Sequence, residues 1–324
     1  MNVTDLAPGD VPVVALGMLV SGLVILAFAG DFIVQAAVSI AKRLRIPDLV
    51  VGLTIVAFGT SAPELLVAIR SAMIDEGPLA LSAVVGSNIA NILLVLGVPA
   101  VIAGTACNQP LVRRNYIFML AVSVLFIILM MIGPIGPREG YLLVGLLAVF
   151  IILSIVRARS IDDAAPVAEE AAGPPISGGK TVLYLLLGLV GLPIGAHFTV
   201  DGALASSVWL GVSKEAAGLI LLALGTSLPE LAAATAAALR RESGLIIGSV
   251  LGSNIFNILS IVGITAFVAP LAAGPHMLKV DVWIMLAAAL LLGPFALQRI
   301  TISRVAGFFF LALYGAFVYF ALTI

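Results

Sequence analysis

Long apolar stretches alternate with short polar joints along almost the whole chain. Ten stretches reach membrane-spanning length, because a helix needs about 20 residues to cross the hydrocarbon and a longer helix can tilt. Their approximate limits are 12–41, 47–73, 79–103, 113–132, 140–157, 181–208, 214–239, 244–270, 279–297 and 302–323. The pattern predicts an all-α polytopic membrane protein with ten transmembrane helices.

Composition favours the same class of protein. The residues AVILMFWYC make up 62% of the 324-residue chain and charged residues only 10%, whereas soluble domains are about 25% charged. So few charged side chains cannot coat a water-exposed surface, which excludes a soluble enzyme. The net charge of −1 gives no general attraction for nucleic acid. The lipid bilayer is the expected partner, no protein partner is inferred, and no enzymatic activity is expected.

One joint is long enough to be a linker. It covers 158–179, where four acidic residues stand among alanine, proline and glycine. It divides the chain into a first five-helix half at 1–157 and a second five-helix half at 180–324. The sequence therefore predicts two halves of similar size joined on the cytoplasmic side.

Basic residues are distributed unequally between the two predicted membrane faces. With the N-terminus outside, 12 of the 16 lysines and arginines fall on inner joints. These residues are Lys42, Arg43, Arg45, Arg113, Arg114, Arg157, Arg159, Lys180, Arg240, Arg241, Arg299 and Arg304. Because cytoplasmic joints carry the excess of Lys and Arg, we expect both termini outside the cytoplasm, in a plasma (inner) membrane.

The two halves repeat each other at an offset of 166 residues. Gly52–Ala68 matches Gly218–Ala234 at 10 of 17 positions, and Val85–Gly97 matches Leu251–Gly263 at 8 of 13. The shared motifs are Gly-Thr-Ser-x-Pro-Glu-Leu and Gly-Ser-Asn-Ile-x-Asn-Ile. Because each half has five predicted spans, an odd number, the second copy runs through the membrane in the opposite direction. Inverted repeats are typical of secondary transporters whose site lies near the bilayer midplane.

The first motif places a carboxylate beside a break in a helix. Pro63 has no N–H and clashes with the carbonyl four residues back, so the helix is expected to break near Gly59 and Thr60. The hydroxyls of Thr60 and Ser61 then lie beside the carboxylate of Glu64. We expect unpaired carbonyls at such a break to line a cavity or to bind a cation.

The second motif adds a serine and an asparagine on one helix face, because Ser87 and Asn91 are four residues apart. Carboxylate, hydroxyl, amide and carbonyl oxygens are hard ligands that suit Ca²⁺ and Na⁺. A charge inside the bilayer is costly and usually functional, so Glu64 and its counterpart Glu230 need cations or protons. The second copy contributes Thr226, Ser227, Glu230, Ser253 and Asn257.

Three other polar residues lie inside predicted spans. Asp31 belongs to the first span, and His197 and Asp201 belong to the sixth. Gating, proton relay and structural hydrogen bonding all remain open for them. We place them outside the site.

These motifs resemble those of the cation/calcium exchanger superfamily, and specifically its prokaryotic sodium/calcium antiporter branch. The resemblance covers nearly the whole chain. It implies a central cluster where cytosolic Ca²⁺ is exchanged for Na⁺, so that both ions are substrates and no cofactor is used. It also implies that the first and sixth spans slide as a unit against the other eight helices. The ligands it implies are Ala57, Thr60, Ser61, Glu64, Ser87, Asn91, Ala223, Thr226, Ser227, Glu230, Ser253 and Asn257, the two alanines through their carbonyls.

One feature departs from some members of that superfamily. Asn257 stands where they carry Asp, and Asn91 stands where potassium-dependent relatives often carry Asp. With two carboxylates, one Ca²⁺ or two Na⁺ would neutralise the centre. Potassium dependence is therefore not expected, and the Na⁺:Ca²⁺ ratio stays open.

The leading hypothesis is Na⁺/Ca²⁺ antiport by alternating access. H⁺/Ca²⁺ antiport is the nearest alternative, because the same two glutamates can carry protons. A cation channel is a weaker alternative, since inverted repeats argue against it.

Overall fold

The structure is a computed structural model that describes residues 11–74, 77–162, 175–209, 225 and 227–323. Within these ranges the regular structure is helical, apart from two isolated β-bridges. The helices are α1 (Val11–Leu44), α2 (Asp48–Thr60), α3 (Ala62–Met73), α4 (Gly77–Ala103), α5 (Val112–Ile132), α6 (Pro137–Asp162), α7 (Gly178–Trp209), α8 (Leu228–Leu239), α9 (Ser243–Thr265), α10 (Met277–Gln298) and α11 (Arg304–Thr323). The all-helical prediction is confirmed.

Among the described residues, eight helices are long and apolar enough to cross a membrane. The α2 and α3 helices together have the length and composition of a ninth span, with a bend of 43° between them. Of the seventh predicted span, 214–239, the structure describes the shorter apolar helix α8 and little before it. Residues 210–224 lie outside the described ranges. The count of ten spans therefore stays a prediction.

Burial differs strongly among the spans. The most apolar stretch of α9 is wholly buried and that of α4 is 72% buried, whereas that of α11 is only 17% buried. Exposed large side chains on the outer helices include Leu16, Phe28 and Phe308. Apolar surface of this extent is unfavourable in water and natural in lipid. The α4 and α9 helices, which carry the Gly-Ser-Asn motifs, thus form the centre of the molecule.

The α1 and α7 helices pack antiparallel along much of their length. Glycines make this possible: a Cβ added to Gly22 would lie 2.5 Å from the Thr199 backbone nitrogen, and one added to Gly195 would lie 2.9 Å from the Leu26 nitrogen. Small residues allow such close contact between membrane helices. The two helices therefore form a tightly joined pair.

The helices on either side of the predicted linker, 158–179, extend into it. The α6 helix continues to Asp162, and α7 already begins at Gly178. Residues 163–174 lie outside the described ranges. Helical backbone thus extends into both ends of 158–179, and the division into two halves stays a prediction.

Candidate cation site

The first part of the site is the break between α2 and α3. The α2 helix passes through a π-helical segment, Gly52–Val56, and ends at Thr60. Ser61 leaves helical geometry with φ −85° and ψ 1°, and α3 begins at once with Pro63 in its first turn. Pro63 has no N–H for the Gly59 carbonyl. The break therefore lies one residue beyond the predicted position, and it places Glu64 in the first turn of α3.

The second copy of the motif adopts the same backbone. Ser227 has φ −91° and ψ 1°, Pro229 lies in the first turn of α8, and Glu230 occupies the position equivalent to Glu64. Two predicted ligands of this copy, Ala223 and Thr226, lie outside the described residues. The local geometry around the two glutamates is thus repeated as far as the structure describes it.

The Gly-Ser-Asn motifs lie where α4 and α9 change from α to π geometry. The α4 helix is α-helical to Ala90 and π-helical over Asn91–Val95. The α9 helix is α-helical to Phe256 and π-helical over Asn257–Val262. Single π segments inside α-helices are frequent at functional sites.

Hydrogen bonds between the two copies bring the predicted residues together. The Ser61 hydroxyl donates to Glu230 Oε1 over 3.2 Å. The Asn257 amide donates to Ser87 Oγ over 3.0 Å. The partners are 169 and 170 residues apart in the chain. The fold thus brings the first motifs of the two copies into contact, and likewise the second motifs.

The predicted side chains in the described residues are all buried. Glu64 is 4% exposed, Glu230 is 3% exposed, and Asn91, Ser253 and Asn257 are not exposed at all. The other members of this buried set are Thr60, Ser61, Ser87 and Ser227. Two carboxylates are thereby enclosed in the centre of the bundle.

Many oxygens of this cluster have no hydrogen-bond partner among the described residues. They are Glu64 Oε1 and Oε2, Asn91 Oδ1, Ser227 Oγ, Glu230 Oε2, Ser253 Oγ and Asn257 Oδ1. Leaving one buried polar atom unsatisfied costs about 1–3 kcal/mol, and more for a charged group. Such a concentration of unsatisfied acceptors is unfavourable unless a cation or proton binds there.

The donor set suits a hard cation. Within the part of the chain that the structure describes, no three His, Cys, Asp or Glu side chains come together as a metal site. Coordination would therefore combine two carboxylates with neutral hydroxyl and amide oxygens. Ca²⁺ and Na⁺ accept such ligands, whereas zinc and copper prefer nitrogen and sulfur.

The Ala57 carbonyl, a predicted ligand, already accepts two hydrogen bonds. The Ser61 N–H donates to it over 3.0 Å and the Thr60 hydroxyl over 3.3 Å. The Thr60 hydroxyl also interacts with Glu230. A rotation of the Thr60 side chain would free one lone pair of this carbonyl for an ion.

Two asparagines that the sequence interpretation omitted complete the cluster. Asn88 Oδ1 accepts from the Asn257 amide over 3.0 Å, and Asn254 Oδ1 lies 3.5 Å from the Asn91 amide nitrogen. The amides of Asn88 and Asn254 contact the sulfur atoms of Met285 and Met119, respectively. Each of these two asparagines directly follows the serine of its motif in the sequence, and this position was the signal that could have identified them. Asn88 and Asn254 thus orient Asn257 and Asn91, the asparagines of the predicted ligand set, and are not themselves counted among the ligands.

The polar residues left outside the site have partners of their own. Asp31 bonds to Arg240 at the end of α8 and, over 2.8 Å, to Gln35. His197 lies 3.3 Å from Asp201 one turn later in α7. None of these contacts involves a residue of the central cluster.

The chain matches the sequence profile of a known family over most of its length. The family is described as sodium/calcium exchanger protein, and the match covers residues 14–156 and 180–323. Inner membrane protein YrbG of Escherichia coli is 32% identical over 282 residues, which are 86% of this chain and 87% of that protein. Sodium/calcium exchanger MaX1 of Methanosarcina acetivorans is 29% identical, covering 93% of this chain and 96% of that protein.

A solved structure has a similar fold. The sodium-calcium exchanger NCX_Mj superposes with a TM-score of 0.81 at 29% sequence identity. The similarity covers 94% of this chain and 97% of that chain. The likeness thus extends over the whole bundle rather than over one motif.

Proposed function

The chain belongs to the sodium/calcium exchanger family, and from this premise we propose that it exchanges Ca²⁺ for Na⁺ by alternating access. It is an integral membrane transporter rather than an enzyme, and the ions it exchanges are substrates, with no cofactor. The proposal of Ca²⁺ and Na⁺ as the exchanged ions rests on the oxygens around Glu64 and Glu230 that have no hydrogen-bond partner among the described residues.

The charge of this cluster fits the proposed pair of ions. Two carboxylates carry −2, which one Ca²⁺ or two Na⁺ neutralise. Ions of either kind would compete for the same oxygens, so binding of one favours release of the other. Competition at a shared site gives exchange when the site opens to one side at a time and does not change sides while it is empty.

The proposed ligands are the two glutamates together with oxygens from both copies of the motifs. Hydroxyl, amide and carbonyl oxygens from both copies complete the coordination, because two carboxylates alone supply too few atoms for Ca²⁺. The proposed set is Ala57, Thr60, Ser61, Glu64, Ser87, Asn91, Ala223, Thr226, Ser227, Glu230, Ser253 and Asn257.

The proposed topology is that of two inverted five-helix repeats. Repeated motifs at a 166-residue offset and the antiparallel packing of α1 against α7 support it. We place both termini outside the cytoplasm of the plasma (inner) membrane, with 158–179 as a cytoplasmic linker, on the distribution of the basic residues.

Uptake of ⁴⁵Ca²⁺ by proteoliposomes tests the counter-ion. Vesicles are preloaded with Na⁺, with acid, or with neither, and are diluted into medium that contains Ca²⁺. We expect uptake only with an outward Na⁺ gradient. Uptake driven by the proton gradient alone would instead indicate H⁺/Ca²⁺ antiport, which the two buried carboxylates also permit. Uptake without any counter-gradient would favour a channel.

A further inference from the structure

A cavity lies away from the central site, at one end of the bundle. Its volume is about 470 Å³, and it lies where α4 and α8 end and where α9 and α11 begin. This size is within the range of small-molecule sites. Its lining includes Ile102, Ala238, Leu239, Arg241, Ser243 and Arg304.

The cavity carries two positive charges and no carboxylate among its lining residues. Arg304 donates to the Ile102 carbonyl over 3.1 Å, which directs its guanidinium across the end of α4. Arg241 is held in a left-handed turn with φ 59°, and its N–H donates to the Ala238 carbonyl over 3.0 Å. Two guanidinium groups at one cavity are suited to a phosphate, because each presents paired N–H donors.

Glu242 does not neutralise these arginines. Burial and the nearby Asp48 carboxylate raise the pKa of Glu242, whereas Lys42 and Arg240 lower it. This carboxyl therefore belongs to the charge cluster around the start of α2, and it is not among the residues that line the cavity.

The surface beside the cavity is apolar and exposed. Leu239 is 72% exposed in its wall, and Val305 and Phe308 on α11 are 78% and 62% exposed. In a membrane protein such side chains face acyl chains. An occupant that combines a phosphate with hydrocarbon would satisfy both parts of this surface.

We propose that the cavity binds the phosphate of an anionic phospholipid between Arg241 and Arg304, with the acyl chains along Leu239 and Val305. Free inorganic phosphate shares the headgroup chemistry but gains nothing from the apolar surface. Basic pockets between membrane helices are known to hold lipid headgroups in this way. The proposal is independent of the central site and of the identity of the transported ions.

Lipid binding to the full chain in neutral detergent tests this proposal. Thermal unfolding and native mass spectrometry are recorded with phosphatidylglycerol, with phosphatidylcholine, and with inorganic phosphate at equal phosphate concentration. The test variant is Arg241→Gln with Arg304→Gln. The control is Arg45→Gln with Arg113→Gln, which removes the same charge from two exposed arginines, one of them also in a left-handed turn with φ 52°.

We expect phosphatidylglycerol to raise the unfolding midpoint of the wild type and the control, and to raise that of the test variant less than half as much. Mass spectrometry should show one fewer retained phosphatidylglycerol in the test variant. Equal shifts in test and control variants would overturn the proposal, as would a shift with inorganic phosphate as large as with lipid. If the double variant does not fold, each single variant is measured with the same expected loss.

Discussion

At the scale of single residues, the asparagines set which atoms face the site. Asn257 uses its amide nitrogen for two bonds, to Ser87 and Asn88, and its oxygen remains without a partner in the described part of the chain. Asn91 likewise directs its nitrogen toward Asn254 and leaves its oxygen unpartnered. Because the nitrogens are engaged, the oxygens are presented as acceptors. The hydrogen bonds thus prepare a cation site before an ion arrives, which lowers the cost of ordering the ligands.

The glutamates are the residues whose loss should matter most. Glu64→Gln or Glu230→Gln removes one of two negative charges from a buried site and keeps the side-chain shape. We expect either variant to lose Na⁺-dependent Ca²⁺ uptake by more than about 100-fold, since one interaction of a charged group is worth about 3 kcal/mol or more in such surroundings. Both variants should still fold, because burying a neutral amide costs less than burying an uncompensated carboxylate.

The control for these variants is Asp201→Asn, which also removes a carboxylate from an apolar helix. Asp201 pairs with His197 outside the central cluster, and its side chain is 37% exposed. We expect uptake to remain near the wild-type rate, measured in the same proteoliposomes after normalising for incorporated protein. Retained uptake in Glu64→Gln would show that the site is misplaced, whereas loss of uptake in Asp201→Asn would assign Asp201 a role in gating or proton relay.

At the scale of helices, the sequence predicted features that arise from local chemistry. Pro63 interrupts its helix through local chemistry alone, so this break was predicted within about one residue. The π segments at Asn91 and Asn257, and the support from Asn88 and Asn254, were not predicted. They depend on contacts between residues more than 130 positions apart, such as Asn254 with Met119, and a single sequence contains no direct signal for such contacts.

One glycine of the second Gly-Ser-Asn motif lies in close contact with a neighbouring helix. A Cβ on Gly252 would lie 2.6 Å from the Leu53 carbonyl oxygen. The α9 helix thus packs directly on the α2 backbone. The residues that the sequence repeat would place against Gly86 of the first motif lie in 210–224, outside the described ranges.

This close contact predicts the effect of one substitution. Gly252→Ala should destabilise the protein by about 1–3 kcal/mol, because the backbone of α2 cannot move aside as a side chain would. Thermal unfolding of the purified variant and of the wild type checks this value. An unchanged unfolding midpoint would contradict the packing described for Gly252.

At the scale of the whole molecule, two kinds of contact join α1 to its neighbours. Its contact with α7 is close along several turns, where Gly191 would place a Cβ 2.8 Å from that of Ala29. Its contact with α8 includes an ion pair, Asp31 with Arg240, whose side chains are 38% and 41% exposed. It also includes a close approach, in which a Cβ on Gly30 would lie 2.7 Å from the Ala232 carbonyl oxygen. The exposed ion pair contributes little to stability. If α1 and α7 move together as the family resemblance implies, the α1–α7 contact is kept during exchange and the α1–α8 contact changes.

Cross-linking distinguishes these contacts. The native Cys107 should not interfere, because it is buried and burial raises the pKa of its thiol to about 12, so that it stays protonated at neutral pH. A disulfide between cysteines at Ala29 and Gly191 needs a Cβ separation of about 3.5–4.5 Å, which a small local shift provides. We expect this α1–α7 bond to leave Na⁺-dependent Ca²⁺ uptake largely intact.

A short bis-methanethiosulfonate reagent forms a mixed disulfide with each of two cysteines introduced at Asp31 and Arg240, releasing methanesulfinate. The resulting link should stop uptake, because it fixes α1 to α8. Reduction should restore uptake in the same vesicles, which controls for damage by the substitutions. Unlinked double variants provide the reference rate for each pair. If the α1–α7 disulfide also stops uptake, the two helices slide past each other during exchange. If the α1–α8 link leaves uptake unchanged, the ion pair does not lie across the moving boundary, and access to Glu64 and Glu230 must alternate through another set of helices.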